Sequence, residues 1–203
     1  MGEKDSENNF RWNKTIQDLY PERGNMKLSE IPKMTRAHYR ITVQFDSLER
    51  TIEHFKETCE QFGYKLELEP DFQRGHIWKE EQQIAYIEYI MRAGLGGREI
   101  YFNHPGWMRG YKGDMQLVDG LQRVTTILKF MHNELPIFDN NYLKDFEDKD
   151  WAIRDLDYSV FFNVNNLKTR AEVLQWYLDL NSGIAHTNVE IQRVKALLEK
   201  EIR

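Results

Sequence analysis

Cysteine is nearly absent from the sequence, because Cys59 is the one cysteine in 203 residues. A single cysteine excludes an internal disulfide bond and any zinc site built from several cysteines, and we therefore expect an intracellular protein. Cys59 itself falls on the apolar side of a predicted helix. This position predicts a buried structural thiol rather than a nucleophile.

Long apolar runs are also missing, and no segment is long enough to cross a bilayer as a helix. The first nine residues are polar and lack the features of a signal peptide. Hydrophobic residues nevertheless make up 40% of the chain and aromatic residues 13%. This composition predicts a globular protein with a sizeable core and without a membrane partner.

Basic segments are missing as well, since the sequence has no lysine run and its formal net charge is −5. Residues 139–158 carry seven acidic residues against three basic ones. Tight nonspecific binding of duplex DNA needs broad neutralisation of phosphates, and this charge distribution argues against it. A few arginines gathered in one cleft would still suit a phosphate ligand.

The order of the elements predicted from hydrophobic periodicity suggests an α+β core with a helical C-terminal part. The predicted strands are 39–45, 64–69, 98–102 and 115–118, with further short strands within 151–162. The predicted helices are 48–62, a helix that begins at 79, a helix that begins at 121, then 167–180 and a last helix capped by Thr187.

The chain is predicted to form one domain with an extension. We assign 1–38 to an N-terminal extension, 39–135 to the core, and 136–203 to an acidic loop and helices of the same domain. Asp46 and Glu49 have the spacing of a capping box for the first helix. The glycine-rich segment 104–113 predicts either a hairpin tip or a mobile lid.

The segment from Met115 to Leu128 carries the strongest functional signal. A short apolar strand ends at Asp119-Gly120, and a helical pattern follows directly. The free N–H groups at such a helix start bind anions well, and Arg123 one turn later suits phosphate. The alternative is an ordinary helix start, with Asp119 as its N-cap, Gln122 on the surface and Arg123 paired with a carboxylate.

A second segment, Asp71 to Gly75, also combines an acid, a glycine and a Gln-Arg pair beside a predicted helix start. If the two segments meet, their arginines can clamp phosphates. Asp119 then either keeps away from the ligand or takes part by binding Mg²⁺ or activating water. Phe72 and Trp78 can stack on a base or simply anchor the loop. The six histidines lack the spacing of metal ligands.

These segments resemble a known family. Residues 70–78, 118–128, 180–183 and 187–198 resemble the domain of unknown function 262, the N-terminal domain of GmrSD-type modification-dependent restriction enzymes. The family pattern is approximately Asp-Tyr-Gln-Arg, then Asp-Gly-Gln-Gln-Arg, then a helix that ends in Asn-x-Gly-Gly. The resemblance implies a ParB/sulfiredoxin-like fold, which is a small mixed sheet with flanking helices. It also implies a nucleotide-binding or nucleotide-hydrolysing domain that often licenses a DNA-cutting partner.

The chain departs from the family pattern at two places. Leu121 replaces the first Gln of the second motif, and Ser182-Gly183 only approximates Gly-Gly. No nuclease signature appears after residue 200. The resemblance implies the following site residues: Asp119 and Arg123 as catalytic, Gln73, Arg74, Gly120, Gln122 and Arg123 as nucleotide-binding, and Asp119 as the metal ligand.

The leading hypothesis is therefore a domain that binds, and in one version hydrolyses, a nucleoside triphosphate with Mg²⁺. We expect it in the cytoplasm of a bacterium or a phage-infected cell, in restriction or anti-restriction. A second hypothesis is a ParB-like DNA nickase that uses the same cleft. A third is a non-catalytic module, for example an inhibitor. Besides the nucleotide, the expected partners are DNA, a separate nuclease or restriction protein, and further copies of the chain in a homo-oligomer.

Overall fold

The computed structural model describes residues 31, 34–73, 78–155, 157–181 and 188–202, and only the backbone of 188–190. All helices and strands given below belong to the unit Thr35–Arg203. Most of the predicted extension lies outside the described residues, as do Arg74, Gly75 and the predicted cap Thr187.

The described residues form an α+β fold, as the sequence predicts. The strands are β1 Tyr39–Gln44, β2 Leu66–Glu67, β3 Glu99–Asn103, β4 Met115–Asp119 and β5 Ser159–Asn165. The helices are α1 Leu48–Gln61, α2 Glu80–Met91, α3 Leu121–Met131, α4 Lys149–Ala152, α5 Arg170–Asn181 and α6 Asn188–Ile202. In this part of the chain no helix is long and apolar enough to cross a membrane.

The five strands form one mixed sheet in the order β1-β5-β3-β4-β2. β1 pairs with β5 and β3 with β4 in antiparallel fashion, whereas β3 with β5 and β2 with β4 run parallel. The segment 104–113 therefore connects the two strands of a hairpin, which confirms the first of its two predicted roles. β5 lies inside the sheet although its residues show only a weak strand pattern.

Two apolar clusters cover the two faces of the sheet. The main cluster packs α1, α2 and α3 against the strands, with Ile52, Phe55, Ile87, Ile127 and Phe162 among its buried members. The second cluster packs α5 and α6 against the sheet and includes Phe72, Val118, Leu174, Trp176 and Val194. Neighbouring residues of β4 belong to different clusters because side chains alternate along a strand.

The start of α1 differs from the prediction. Asp46 lies in a 3₁₀ turn, Phe45–Ser47, and Ser47 occupies the N-cap without a side-chain capping bond. The Ser47 hydroxyl donates instead to Asp46 at 2.9 Å. The expected capping box of Asp46 and Glu49 is therefore wrong, because the extra turn moves the helix start beyond Asp46.

Cys59 is buried on α1, where burial raises the pKa of its thiol. A thiol with a raised pKa is mostly protonated near neutral pH and is a poor nucleophile. The predicted structural role of Cys59 is therefore confirmed.

The junction between β4 and α3 depends on Gly120. Its φ is +112°, and a Cβ built on it would lie 3.1 Å from two side-chain carbons of Ile100 on β3. An L-residue with a side chain rarely adopts this backbone conformation. Glycine is required here both by the backbone angle and by the close approach of the neighbouring strand.

We expect Gly120→Ala to lower the free energy of unfolding by about 3 kcal/mol, because the left-handed conformation and the crowding against Ile100 add together. Gly110→Ala is the matched control, since Gly110 has a φ of +84° and open space within 4 Å of the position that a Cβ would take. The free energy of unfolding of Gly110→Ala should fall by only about 1 kcal/mol. Urea denaturation measures the free energy of unfolding of both variants, and an equal decrease in the two would contradict the role of Ile100.

Candidate functional site

A bulge at the end of β4 sets the direction of Asp119. Phe102 pairs with Leu117, but the next residue, Tyr101, pairs with Asp119, so Val118 is an extra residue in the ladder. Val118 is buried in the second cluster. Asp119 in contrast keeps 27% of its side chain exposed. Bulges redirect side chains in this manner and are frequent near functional sites.

Gly120 is the N-cap of α3 and has no side chain of its own that could cap this helix start. The Val124 N–H donates to the Gly120 carbonyl at 3.0 Å, which closes the first helical turn. The alternative in which Asp119 acts as an ordinary N-cap is therefore wrong. Asp119 lies one residue before the cap, and its carboxylate bonds to a side chain instead.

Arg123 forms an ion pair with Asp119 across one turn of the chain, from Nη2 to Oδ2. Their side chains are 18% and 27% exposed. The structure therefore confirms the alternative prediction that Arg123 pairs with a carboxylate. The pair is accessible enough for a ligand to reach and buried enough that water screens it only in part.

The two predicted segments meet in space. The Gln73 side-chain amide donates to the Leu117 carbonyl on β4. The Trp78 backbone N–H donates to the Gln122 side-chain oxygen at 2.9 Å. These contacts join the residues on both sides of 74–77 to the segment around Asp119. The convergence is confirmed for Gln73, whereas the position of Arg74 stays a prediction.

Asp71 is held by the C-terminal helices. The Arg170 guanidinium on α5 donates to both carboxylate oxygens of Asp71, at 2.8 and 2.7 Å. Arg193 on α6 donates to the Asp71 carbonyl at 2.7 Å, and Arg170 also pairs with Glu201 at 3.2 Å. The sequence does not single out either arginine, because each is one of several charged residues on a predicted helix and belongs to no motif.

Phe72 and Trp78, the two aromatic residues of the first loop, each contact another aromatic ring. Phe72 is buried, and its ring centroid lies 5.5 Å from that of Tyr177 in the second cluster. Trp78 packs edge to face against Tyr86 on α2, at 5.3 Å. The buried Phe72 is not available to stack on a base, so the anchoring alternative is confirmed for it.

Leu121, the departure from the family pattern, is buried in the main cluster. Its side chain therefore packs into the core, on the side of α3 away from solvent. Gln122, the next residue, lies at the loop that contains Trp78. The replacement of an amide by leucine at 121 consequently changes the core rather than the exposed part of the site.

Two tyrosines near Arg123 stay neutral at physiological pH. Burial raises the pKa of Tyr86 to about 12, although the charges of Arg123 and Arg98 oppose this shift. The Tyr86 hydroxyl donates to the Gly97 carbonyl at 3.0 Å. Burial also raises the pKa of Tyr101, and the nearby carboxylates add to the effect. Both hydroxyls are therefore hydrogen-bond donors and poor general bases.

A cavity of about 330 Å³ lies elsewhere in the fold, between α3 and the acidic stretch. Its polar lining mixes Lys144, Lys149 and Arg154 with Asp46 and Asp150. None of the predicted site residues lines it, and its charges largely compensate each other. The chemistry at Asp119 and Arg123 is therefore separate from this cavity.

A family model supports the relationship that these two segments indicate. The model of the GmrSD restriction endonuclease, N-terminal domain, matches residues 55–197, which include both segments and the arginines of α5 and α6. No curated protein and no solved structure matches the chain. The match covers more than half of the 203 residues and associates the chain with restriction systems. The chain belongs to the family of the GmrSD restriction endonuclease N-terminal domain.

Proposed function

We propose that the chain binds a nucleoside triphosphate together with Mg²⁺ and acts in DNA restriction or anti-restriction. The ligand's phosphates would lie at the start of α3. The observation that carries the proposal is the junction of the two segments, in which Gln73 and Trp78 bond to Leu117 and Gln122. This junction brings two amides, a carboxylate and a guanidinium to one helix start whose N-cap residue is a glycine.

The start of α3 has the features that a phosphate requires. The first N–H groups of a helix lack intrahelical partners and carry a partial positive charge. Gly120 permits the abrupt turn that presents these N–H groups directly after β4. Arg123 adds a planar guanidinium that can bond two phosphate oxygens at once. Arg74 is the second proposed clamp, and its place in the chain directly follows Gln73.

Asp119 would oppose a bare phosphate, both by repulsion and by occupying Arg123. A divalent cation removes both obstacles, because it neutralises the carboxylate and frees the guanidinium. Within the described residues, no group of three or more His, Cys, Asp or Glu side chains could hold a metal. A single carboxylate suits Mg²⁺, which usually takes its remaining ligands from substrate phosphates and water.

In the hydrolytic version of the proposal, Asp119 holds the metal or orients a water, and Arg123 stabilises charge on the transferred phosphoryl group. Mg²⁺ would supply charge neutralisation between the phosphate oxygens. Gln73 and Gln122 would position the ligand through their amides.

We expect Arg123→Ala to abolish detectable binding of ATP and GTP in the presence of Mg²⁺, as measured by calorimetry. Folding should persist, because the Asp119 side chain is 27% exposed and water can solvate its carboxylate once the guanidinium is removed. Arg154→Ala is the matched control. Arg154 also pairs with an aspartate, Asp46, but at 3.8 Å, and it lines the 330 Å³ cavity that lies away from Asp119 and Arg123. Unchanged affinity in Arg123→Ala would remove the proposal.

Asp119→Asn separates the two roles of the carboxylate. Without Mg²⁺, this variant should bind a nucleoside triphosphate more tightly than the wild type, because the competing charge is gone. Addition of Mg²⁺ should then increase its affinity much less than it does for the wild type. Titrations with and without the cation measure the difference, and an equal Mg²⁺ effect in both proteins would exclude Asp119 as the metal ligand.

A further inference from the structure

A row of polar residues leads across the sheet from Asp119. Asp119 on β4 pairs with Tyr101 on β3, Tyr101 pairs with Asn163 on β5, and Asn163 pairs with Arg40 on β1. Residues in regular opposite pairs project from the same face of the sheet, and Tyr101, Asn163 and Arg40 are paired in this way. The row therefore leads from the bulge, where Asp119 lies beside Tyr101, to the edge strand β1.

The far end of this row is an ordered polar cluster. The Arg40 guanidinium donates to Glu99 at 2.6 Å, and the Asn163 amide donates to the other Glu99 oxygen at 2.5 Å. Arg40 also lies over the ring of Phe161, 4.0 Å from its centroid. Arg40 is 54% exposed, whereas Asn163 is buried. Glu99 is thus fixed from both sides and still reachable from solvent.

Tyr101 lies between the two ion pairs. The charges of Asp119 and Arg123 on one side, and of Glu99 and Arg40 on the other, all act on its hydroxyl. Its ring packs edge to face against Trp176 on α5, at 5.8 Å. The hydroxyl is consequently a positioned donor between the phosphate site and the cluster around Glu99.

We propose that Arg40, Glu99, Tyr101 and Asn163, here called the sheet strip, bind the nucleoside half of the ligand whose phosphates lie at Arg123. The inference rests on the proposed function. Adjacent strands lie about 4.8 Å apart, so the row from β4 to β1 spans about 14 Å. This length exceeds a phosphate group and suits an extended nucleotide.

The chemistry of the sheet strip matches a ribonucleoside. A fixed carboxylate such as Glu99 accepts hydrogen bonds from ribose hydroxyls, as acidic residues do in dinucleotide sites. The Arg40 guanidinium lies 4.0 Å from the centroid of the Phe161 ring, and its exposed side can stack on a base. Asn163 is buried and acts as a positioning residue, since its amide holds Glu99.

The test compares ATP, deoxy-ATP and inorganic tripolyphosphate, each with Mg²⁺, by calorimetry on the full chain. The wild type should bind ATP more tightly than tripolyphosphate. Arg40→Ala and Glu99→Gln should each weaken ATP binding about tenfold, because each removes a charged contact. Binding of tripolyphosphate should not change. Glu99→Gln should also lose any preference for ATP over deoxy-ATP.

Arg154→Ala is again the control, because it removes an exposed arginine outside the row. It should change the affinity for neither ATP nor tripolyphosphate. If the wild type binds ATP and tripolyphosphate equally, the sheet strip has no nucleoside role, although the phosphate site stands. Equal weakening of both probes in Arg40→Ala indicates a general charge effect and also overturns the inference. If neither probe binds the wild type, the proposed function itself fails.

Discussion

The contact between Gly120 and Ile100 is the constraint on which the candidate site depends. Strand β4 can turn directly into α3 only because residue 120 has no side chain where β3 passes. This abrupt turn places Asp119 at the end of the strand and Arg123 one turn into the helix, where they form an ion pair. A longer connection would separate the carboxylate, the guanidinium and the helix start.

The first segment is held mainly by packing rather than by charge. Burial of a phenylalanine such as Phe72 contributes roughly 1.5–3 kcal/mol. The pair of Asp71 and Arg170 is largely exposed, and such pairs contribute about 0–1 kcal/mol. The apolar cluster therefore supplies the stability of this attachment, and the hydrogen bonds to Asp71 supply its direction. Helices α5 and α6 are in this sense part of the scaffold of the site.

The charges of the site are arranged in compensating pairs. Arg123 is balanced by Asp119, and Arg40 by Glu99, in a protein whose net charge is −5. A polyanionic ligand entering such a surface gains little from long-range attraction. Such a ligand must replace the carboxylates as the partner of the arginines. A divalent cation that binds the released carboxylate would favour this replacement. The chain's lack of basic segments agrees with a confined ligand better than with a long stretch of DNA.

Local sequence determined the elements whose pattern is periodic. Patterns within a few residues of sequence predicted two parts of the fold. These are the strand, turn and helix around Gly120, and the apolar stripe of α1, which consists of Leu48, Ile52, Phe55 and Cys59. Within the candidate site, Asp119, Gly120, Gln122 and Arg123 could be identified for the same reason, since they lie within five residues of one another.

Tertiary structure alone decided the interior position of β5 between β1 and β3, and the residues of β5 are buried on both faces and so show little alternation. It also decided the attachment of Asp71 to Arg170 and Arg193, and the row that joins Tyr101 and Arg40. Asp71 and Arg193, for example, are 122 positions apart in the chain. Their proximity depends on strand register and helix docking, and neither leaves a periodic signal in the sequence around any one of them.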